Sequence, residues 1–150
     1  MTVDELHARA EDALRNLGGL CRDEELAVAK KLVACLRDVR EYEFMGRLAE
    51  AVSRRDPKDP TNRRLYAQYL IDTGMATVAV DLLRTLARRL PKTHPEFAET
   101  NGLLGRAYKQ IFYDAGDKTN PGARQALKEA ITAYRRPFEE NPANTWHGVN

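Results

Sequence analysis

The sequence predicts an all-α chain: about seven helices, joined by short breaks and stacked in pairs as a helical-repeat solenoid. Three observations predict it. Ala and Leu together supply 37 of the 150 residues, and Val and Ile only 11, a balance that favours helix over sheet. Between each pair of breakers, apolar residues recur at the i, i+3, i+4 spacing of an amphipathic helix. Two of the breakers, Pro57 and Pro91, stand 34 residues apart, the length of a two-helix repeat.

The elements follow in order. Thr2 and Glu5 have the spacing of a capping box, ahead of a stripe of Val3, Leu6, Ala10, Ala13, Leu14 and Leu17 that Gly18-Gly19 ends. Asp23 is the expected cap of a second helix, with Leu26, Ala29, Leu32, Val33, Leu36 and Val39 inward. A third runs over about 41–54 on Phe44, Met45, Leu48, Ala49 and Val52. Asp56-Pro57-Lys58-Asp59-Pro60 stops it, because proline has no N–H to donate and restricts the residue before it. Thr61 or Asn62 is the expected cap of the fourth helix, which carries Leu65, Tyr66, Tyr69 and Leu70 and breaks at Gly74. Val78, Ala79, Leu82, Leu83, Leu86 and Leu90 mark the fifth, closed by Pro91. Thr93 is the expected cap of the sixth, with Phe97, Leu103, Leu104, Tyr108, Ile111 and Phe112. After a polar loop at 114–122, a seventh helix carries Ala126, Leu127, Ala130, Ile131, Tyr134 and Phe138. Pro137 predicts a kink or an early end within it, and Asn141-Pro142 stops it.

The pairs repeat. Gly74 sits at an internal turn, Ala79 five residues later, Leu83 four after that and Pro91 eight after that. Ala130, Tyr134 and Pro142 keep the same two spacings, and Leu104-Gly105 precedes Tyr108 by three. The chain resembles the tetratricopeptide-repeat (TPR) family on these residues. There a small residue marks the closest approach of two antiparallel helices, and a large one fills the gap between successive pairs. From Tyr108 to Ala130 is 22 residues, about 13 more than a standard repeat has, so this unit carries an insertion. The implied organisation is a single right-handed TPR-like domain over 1–150. It comprises an N-terminal helix (1–20), a degenerate repeat (24–57), a repeat (61–91), a repeat with an insertion at 114–122 (94–142) and the start of a further repeat (143–150).

A narrower resemblance covers about 98–150. Gly105-Arg-Ala-Tyr-Lys-Gln-Ile-Phe112, then Ala130, Tyr134, Phe138-Glu139 and Gly148-Val-Asn150 are similar to the TRAFs-binding TPR region of the apoptosis signal-regulating kinases and its bacterial relatives. Pro137 and Val149 depart from that pattern. The resemblance implies a regulatory scaffold without catalytic residues, inside a larger signalling protein.

The residues themselves point away from chemistry. There is no GxxxxGK[ST], GxGxxG or GxSxG, and His7, His94 and His147 lack a second ligand at helical spacing. Gly102-x-x-Gly105 lies inside a helix and reads as close packing. Cys21 and Cys35 read as reduced, buried thiols of a cytoplasmic protein. No catalytic residue, metal site, cofactor or small-molecule substrate is expected. No apolar run is long enough for a membrane helix, and the acidic start predicts no signal peptide.

Function then rests on a surface. First helices of repeat pairs line the ligand-binding side of such arrays. Alignment of the two clear repeats places Arg64, Gln68 and Asp72 there on one helix and Arg106, Lys109 and Gln110 on the next, and the degenerate repeat adds Lys30 and Arg37. A basic face suits a protein or an acidic peptide. Its bland alternative is a solvated helix face whose arginines cover apolar surface. A nucleic-acid-binding solenoid would use the same residues, but a net charge of +2 and the lack of aromatics beside the arginines count against it. Trp146 and Val149 read as an apolar stripe that stops with the sequence, which predicts either self-association through the C-terminal helix or fraying of that helix.

Overall fold

The computed structural model describes residues 1–140, and among them there are seven helices and no strand. They are α1 (Val3–Leu17), α2 (Asp23–Asp38), α3 (Tyr42–Arg55), α4 (Pro60–Asp72), α5 (Ala76–Arg89), α6 (Phe97–Asp114) and α7 (Pro121–Glu140). The all-α reading holds. The stop at Asn141-Pro142 and the further repeat at 143–150, with Trp146 and Val149, lie outside the described residues.

Most helix ends form by local chemistry that the sequence declares. The Thr2 hydroxyl accepts the Glu5 N–H at 3.1 Å, and the Glu5 carboxylate accepts the Thr2 N–H at 2.8 Å. Gly74, at φ +84°, donates to the Ile71 carbonyl (3.2 Å) while Met75 donates to Leu70 (2.7 Å), closing α4 in a Schellman arrangement. Three expected caps move. Arg22, not Asp23, precedes α2, and Glu25 accepts its N–H at 3.2 Å. Asp59, not Thr61 or Asn62, caps α4, its Oδ1 accepting the Asn62 N–H at 3.0 Å with Pro60 as first helical residue. Thr93 caps nothing: 91–96 folds as turns in which His94 donates to the Pro91 carbonyl (2.9 Å) and Phe97 to that of His94 (3.0 Å).

The expected 114–122 loop shrinks to 115–120, because much of the insertion is helical. α6 and α7 have 18 and 20 residues, where α4 and α5 have 13 and 14. The loop is internally bonded: Lys118 Nζ donates to the Tyr113 (3.1 Å) and Ala115 (3.2 Å) carbonyls, and Asn120 Oδ1 accepts the Gly122 N–H at 2.8 Å. Asn120 thus caps α7 ahead of Pro121. Asn120→Ala is expected to cost about 1 kcal/mol in urea denaturation, and an unchanged midpoint would show that this cap contributes nothing. Pro137 neither ends α7 nor lies outside the packing: its ring is fully buried and the helix continues to Glu140.

The chain divides into two compact units, Met1–Tyr69 and Leu70–Asn150. In the first, α1 packs on α2 and α3, and α2 on α3. Leu36, Met45, Leu48 and Val52 are fully buried at its centre, with Tyr66 and Tyr69 of α4 packed against the same core. The Tyr69 ring lies flat on Gly46: a Cβ there would stand 2.0 Å from the ring's Cγ. Asn62 turns inward, its Nδ2 donating to the Ala49 carbonyl (2.9 Å) and to Ser53 Oγ (3.0 Å). Arg55 donates to the Leu17 carbonyl (2.7 Å) and to that of Gly19, satisfying acceptors left over at the end of α1.

In the second unit, α5 packs on α6 and α6 on α7. Ala79, Leu83, Leu104, Ala107 and Ala130 are buried, and the Tyr134 ring covers Gly105, where an added Cβ would meet ring carbons at 3.0 Å. Several expected inward residues lie outside. Val39, Val78, Leu127, Ile131 and Phe138 are exposed, to the side of the buried arcs, and the arc on α7 is filled by Ala123, Ala126, Ala130 and Ala133. Cys35 is exposed and Cys21 half-buried, both free thiols. The buried-thiol reading fails because Val33 and Leu36 take the inward positions of that turn.

Candidate partner-binding face

Of the eight residues selected from the sequence, four belong to the first unit. Lys30 and Arg37 are half-buried, two turns apart on α2, and Arg64 and Gln68 are half-buried, one turn apart on α4. The Lys30 ammonium is engaged: it lies 2.6 Å from Asp56 Oδ2 and 3.0 Å from Asp59 Oδ2, tying α2 to the cap of α4. Arg37 pairs with its neighbour Asp38 at 2.8 Å.

The other four belong to the second unit. Asp72 at the end of α4 and Arg106 on α6 form an ion pair at 2.5 Å. Gln110 donates to Asp114 at 2.8 Å. Lys109 is exposed, and its ammonium has no bonded partner among the described residues. The structure therefore joins Asp72 to Arg106 and leaves Lys109 beside them. Sequence reasoning could not supply the acidic partners of Lys30, which lie 26 and 29 residues away.

Lys30 carries an electrostatic consequence. The hydrogen bond from its ammonium holds the Asp56 carboxyl below its ordinary value, and the bond to Asp56 in turn raises Lys30, against a smaller opposing effect of burial. The Asp56 share of stability is present above about pH 4 and lost as pH falls through its lowered value, while the Lys30 share is present below about pH 10 and lost as pH rises through its raised value. Both groups are partly exposed and screened, so Lys30→Met is expected to cost about 0.5–1 kcal/mol at pH 7. In urea titrations the gap between the two proteins should close toward about pH 2; a gap that persists there would mean that the lysine stem, not the charge pair, stabilises the fold.

Two polar contacts fall at one repeat period. His7 Nε2 lies 2.8 Å from Glu41 Oε2 in the first unit, and Asp72 pairs with Arg106 in the second; both pairs are 34 residues apart. Positions one helix pair apart thus meet within each unit. The sequence model of the family described as Tetratricopeptide Repeats-Sensor (TPR-S) matches residues 41–150. The chain belongs to this family. Comparison with curated proteins and with solved structures gives no match. The TPR-S match makes the helix pairs tetratricopeptide-like, a repeat type that serves as a protein-interaction scaffold. Among the described residues of this TPR-S chain, no helix is long and apolar enough to cross a membrane, and no three His, Cys, Asp or Glu side chains converge where they could hold a metal ion.

Proposed function

We propose that this TPR-S chain is a non-catalytic interaction module, a regulatory or sensing segment of a larger cytoplasmic signalling protein, and that it binds an acidic peptide through residues of its first helices. The exposed Lys109 ammonium on α6, beside the Asp72–Arg106 pair, is the observation that carries the reading. A lysine with no bonded partner among the described residues is available to a carboxylate at little reorganisation, whereas Lys30 and Arg37 already serve internal carboxylates. Gln110 belongs with Lys109 and the Asp72–Arg106 pair on the second unit, and Arg64 and Gln68 are the contact residues proposed for the first unit. The family description as a sensor and the resemblance to a TRAFs-binding region both support it.

The test is selection from a displayed peptide library, followed by measured affinities of enriched peptides. Acidic peptides are expected, with affinity falling about tenfold or more in Lys109→Glu and the circular dichroism unchanged. Enrichment without acidic bias, or acidic peptides indifferent to Lys109→Glu, would overturn the assignment. Salt-sensitive binding of RNA or DNA in place of peptide would favour a nucleic-acid solenoid.

A further inference from the structure

The second unit holds a cleft on the other side of α6. Its walls are α5 and α7, its floor is Leu104 and Tyr108 of α6, and its volume is about 200 Å³. Leu104 and Tyr108 project from the side of α6 opposite Arg106 and Gln110, by the 100° rotation per residue of a helix. The cleft lining therefore shares no residue with the proposed peptide site, whose Lys109 stands 100° round α6 from Tyr108. We propose that it binds a phosphomonoester group, borne either by a phosphorylated serine or threonine side chain or by a small phosphorylated metabolite.

Charge comes first. Arg84 and Arg88 of α5, four residues apart, enter the cleft together with Arg136 of α7, and among the described residues Glu129 is the one carboxylate that lines it. Among the described residues Arg84 and Arg88 have no ion-pair partner. With Asp81, outside the lining, also acting on the cleft's Tyr108, the three guanidiniums still outnumber the carboxylates, and a dianionic phosphomonoester balances that excess better than a single carboxylate does. The planar fork of arginine also matches phosphate oxygens in pairs.

Order comes second. Arg136 is already placed, its Nη1 donating to Asn101 Oδ1 at 3.2 Å, and Asn101 is buried and anchored by a 2.9 Å bond to the Phe97 carbonyl. Burial pushes the Tyr108 phenol above its ordinary value, Arg84 and Arg88 acting the other way and Glu129 and Asp81 adding to the rise, so at neutral pH its O–H is a donor. Size comes third. Clefts for drug-sized ligands run to about 300–1,000 Å³, so this one takes a phosphoryl group and a few further atoms rather than a whole nucleotide.

The experiment follows backbone amide signals of Ala87, Thr132 and Ala133 in the isotope-labelled 150-residue chain. The probes are glycerol phosphate, a phosphoserine peptide, its unphosphorylated twin and succinate. Saturable shifts at those amides are expected with the two phosphorylated probes and none with the twin. Peptide binding about tenfold tighter than glycerol phosphate identifies a peptide-borne source, and equal or weaker binding a small-metabolite source. Arg84→Gln with Arg88→Gln should weaken binding about tenfold or more, and Arg88→Lys, which keeps the charge but loses the fork, by less. Lys31→Gln, an equal charge loss outside the residues that line the cleft, should change nothing. Absence of saturation up to about 20 mM, succinate binding as strongly as phosphate, or indifference to the double substitution would each overturn the proposal. Should the double variant unfold, the wild-type probe series and Arg88→Lys decide alone.

Discussion

Leu83→Ala is expected to cost about 3–4 kcal/mol of stability, as a fall in the urea midpoint with an unchanged slope. Leu83 is fully buried on α5, the helix that packs on α6. The removed atoms forfeit their transfer free energy, and the hole they leave adds a second cost that depends on how far the surroundings collapse. Collapse is restricted here. Four residues away on either side, Ala79 and Ala87 are too short to reach into the space, and Val80 and Leu86, three residues away, are themselves buried in the packing. A loss below about 1 kcal/mol would show that α5 shifts to refill the site.

Gly46→Ala should come next, at about 2–3 kcal/mol, and against the trend of helix propensity. Alanine in place of glycine within a helix favours folding by about 0.8–1 kcal/mol, so propensity alone would make this a stabilising change. The Tyr69 ring decides otherwise. The new methyl group would lie 2.0, 2.1 and 2.4 Å from Cγ and the two Cδ carbons, at the root of the ring, where no small rotation of a flexible end relieves it. A double-mutant cycle separates the two effects. In a Tyr69→Ala background, Gly46→Ala should be neutral or stabilising, because only propensity remains. Destabilisation of equal size in both backgrounds would place the clash elsewhere in α3.

These two sites mark the reach of the sequence. Leu83 was legible, since the spacing of Ala79, Leu83 and Pro91 is a short-range pattern and the structure buries both Ala79 and Leu83. Gly46 was not, because its role comes from a ring 23 residues away on another helix. Helix existence followed from periodicity, whereas several helix starts shifted by one to three residues. Several polar residues compete to cap each start, and a proline such as Pro60 or Pro121 reads as a breaker although it is the first residue of a helix. Val78, Ile131 and Phe138 were misplaced because an apolar residue at the margin of a stripe looks the same in sequence as one at its centre. The candidate face was legible only as charge. Arg84 and Arg88 carried a visible signal, a four-residue spacing on one helix, but only the fold brings Arg136 to them.

The long hairpin of α6 and α7 places its extra turns at one end. Counted from the paired positions Ala79 and Ala130, α7 starts six residues earlier than α5, about 9 Å of additional helix on the side of the 115–120 connection. That end is a natural port for foreign sequence. A short epitope or fluorophore-bearing segment inserted after Gly116, where nothing stands within 4 Å of an added Cβ, would ride beyond the buried alanines of α7 and leave their spacing intact. Related chains can accordingly differ there in length while keeping the helix pairing, and a label at that tip would occupy neither the cleft nor the proposed peptide face.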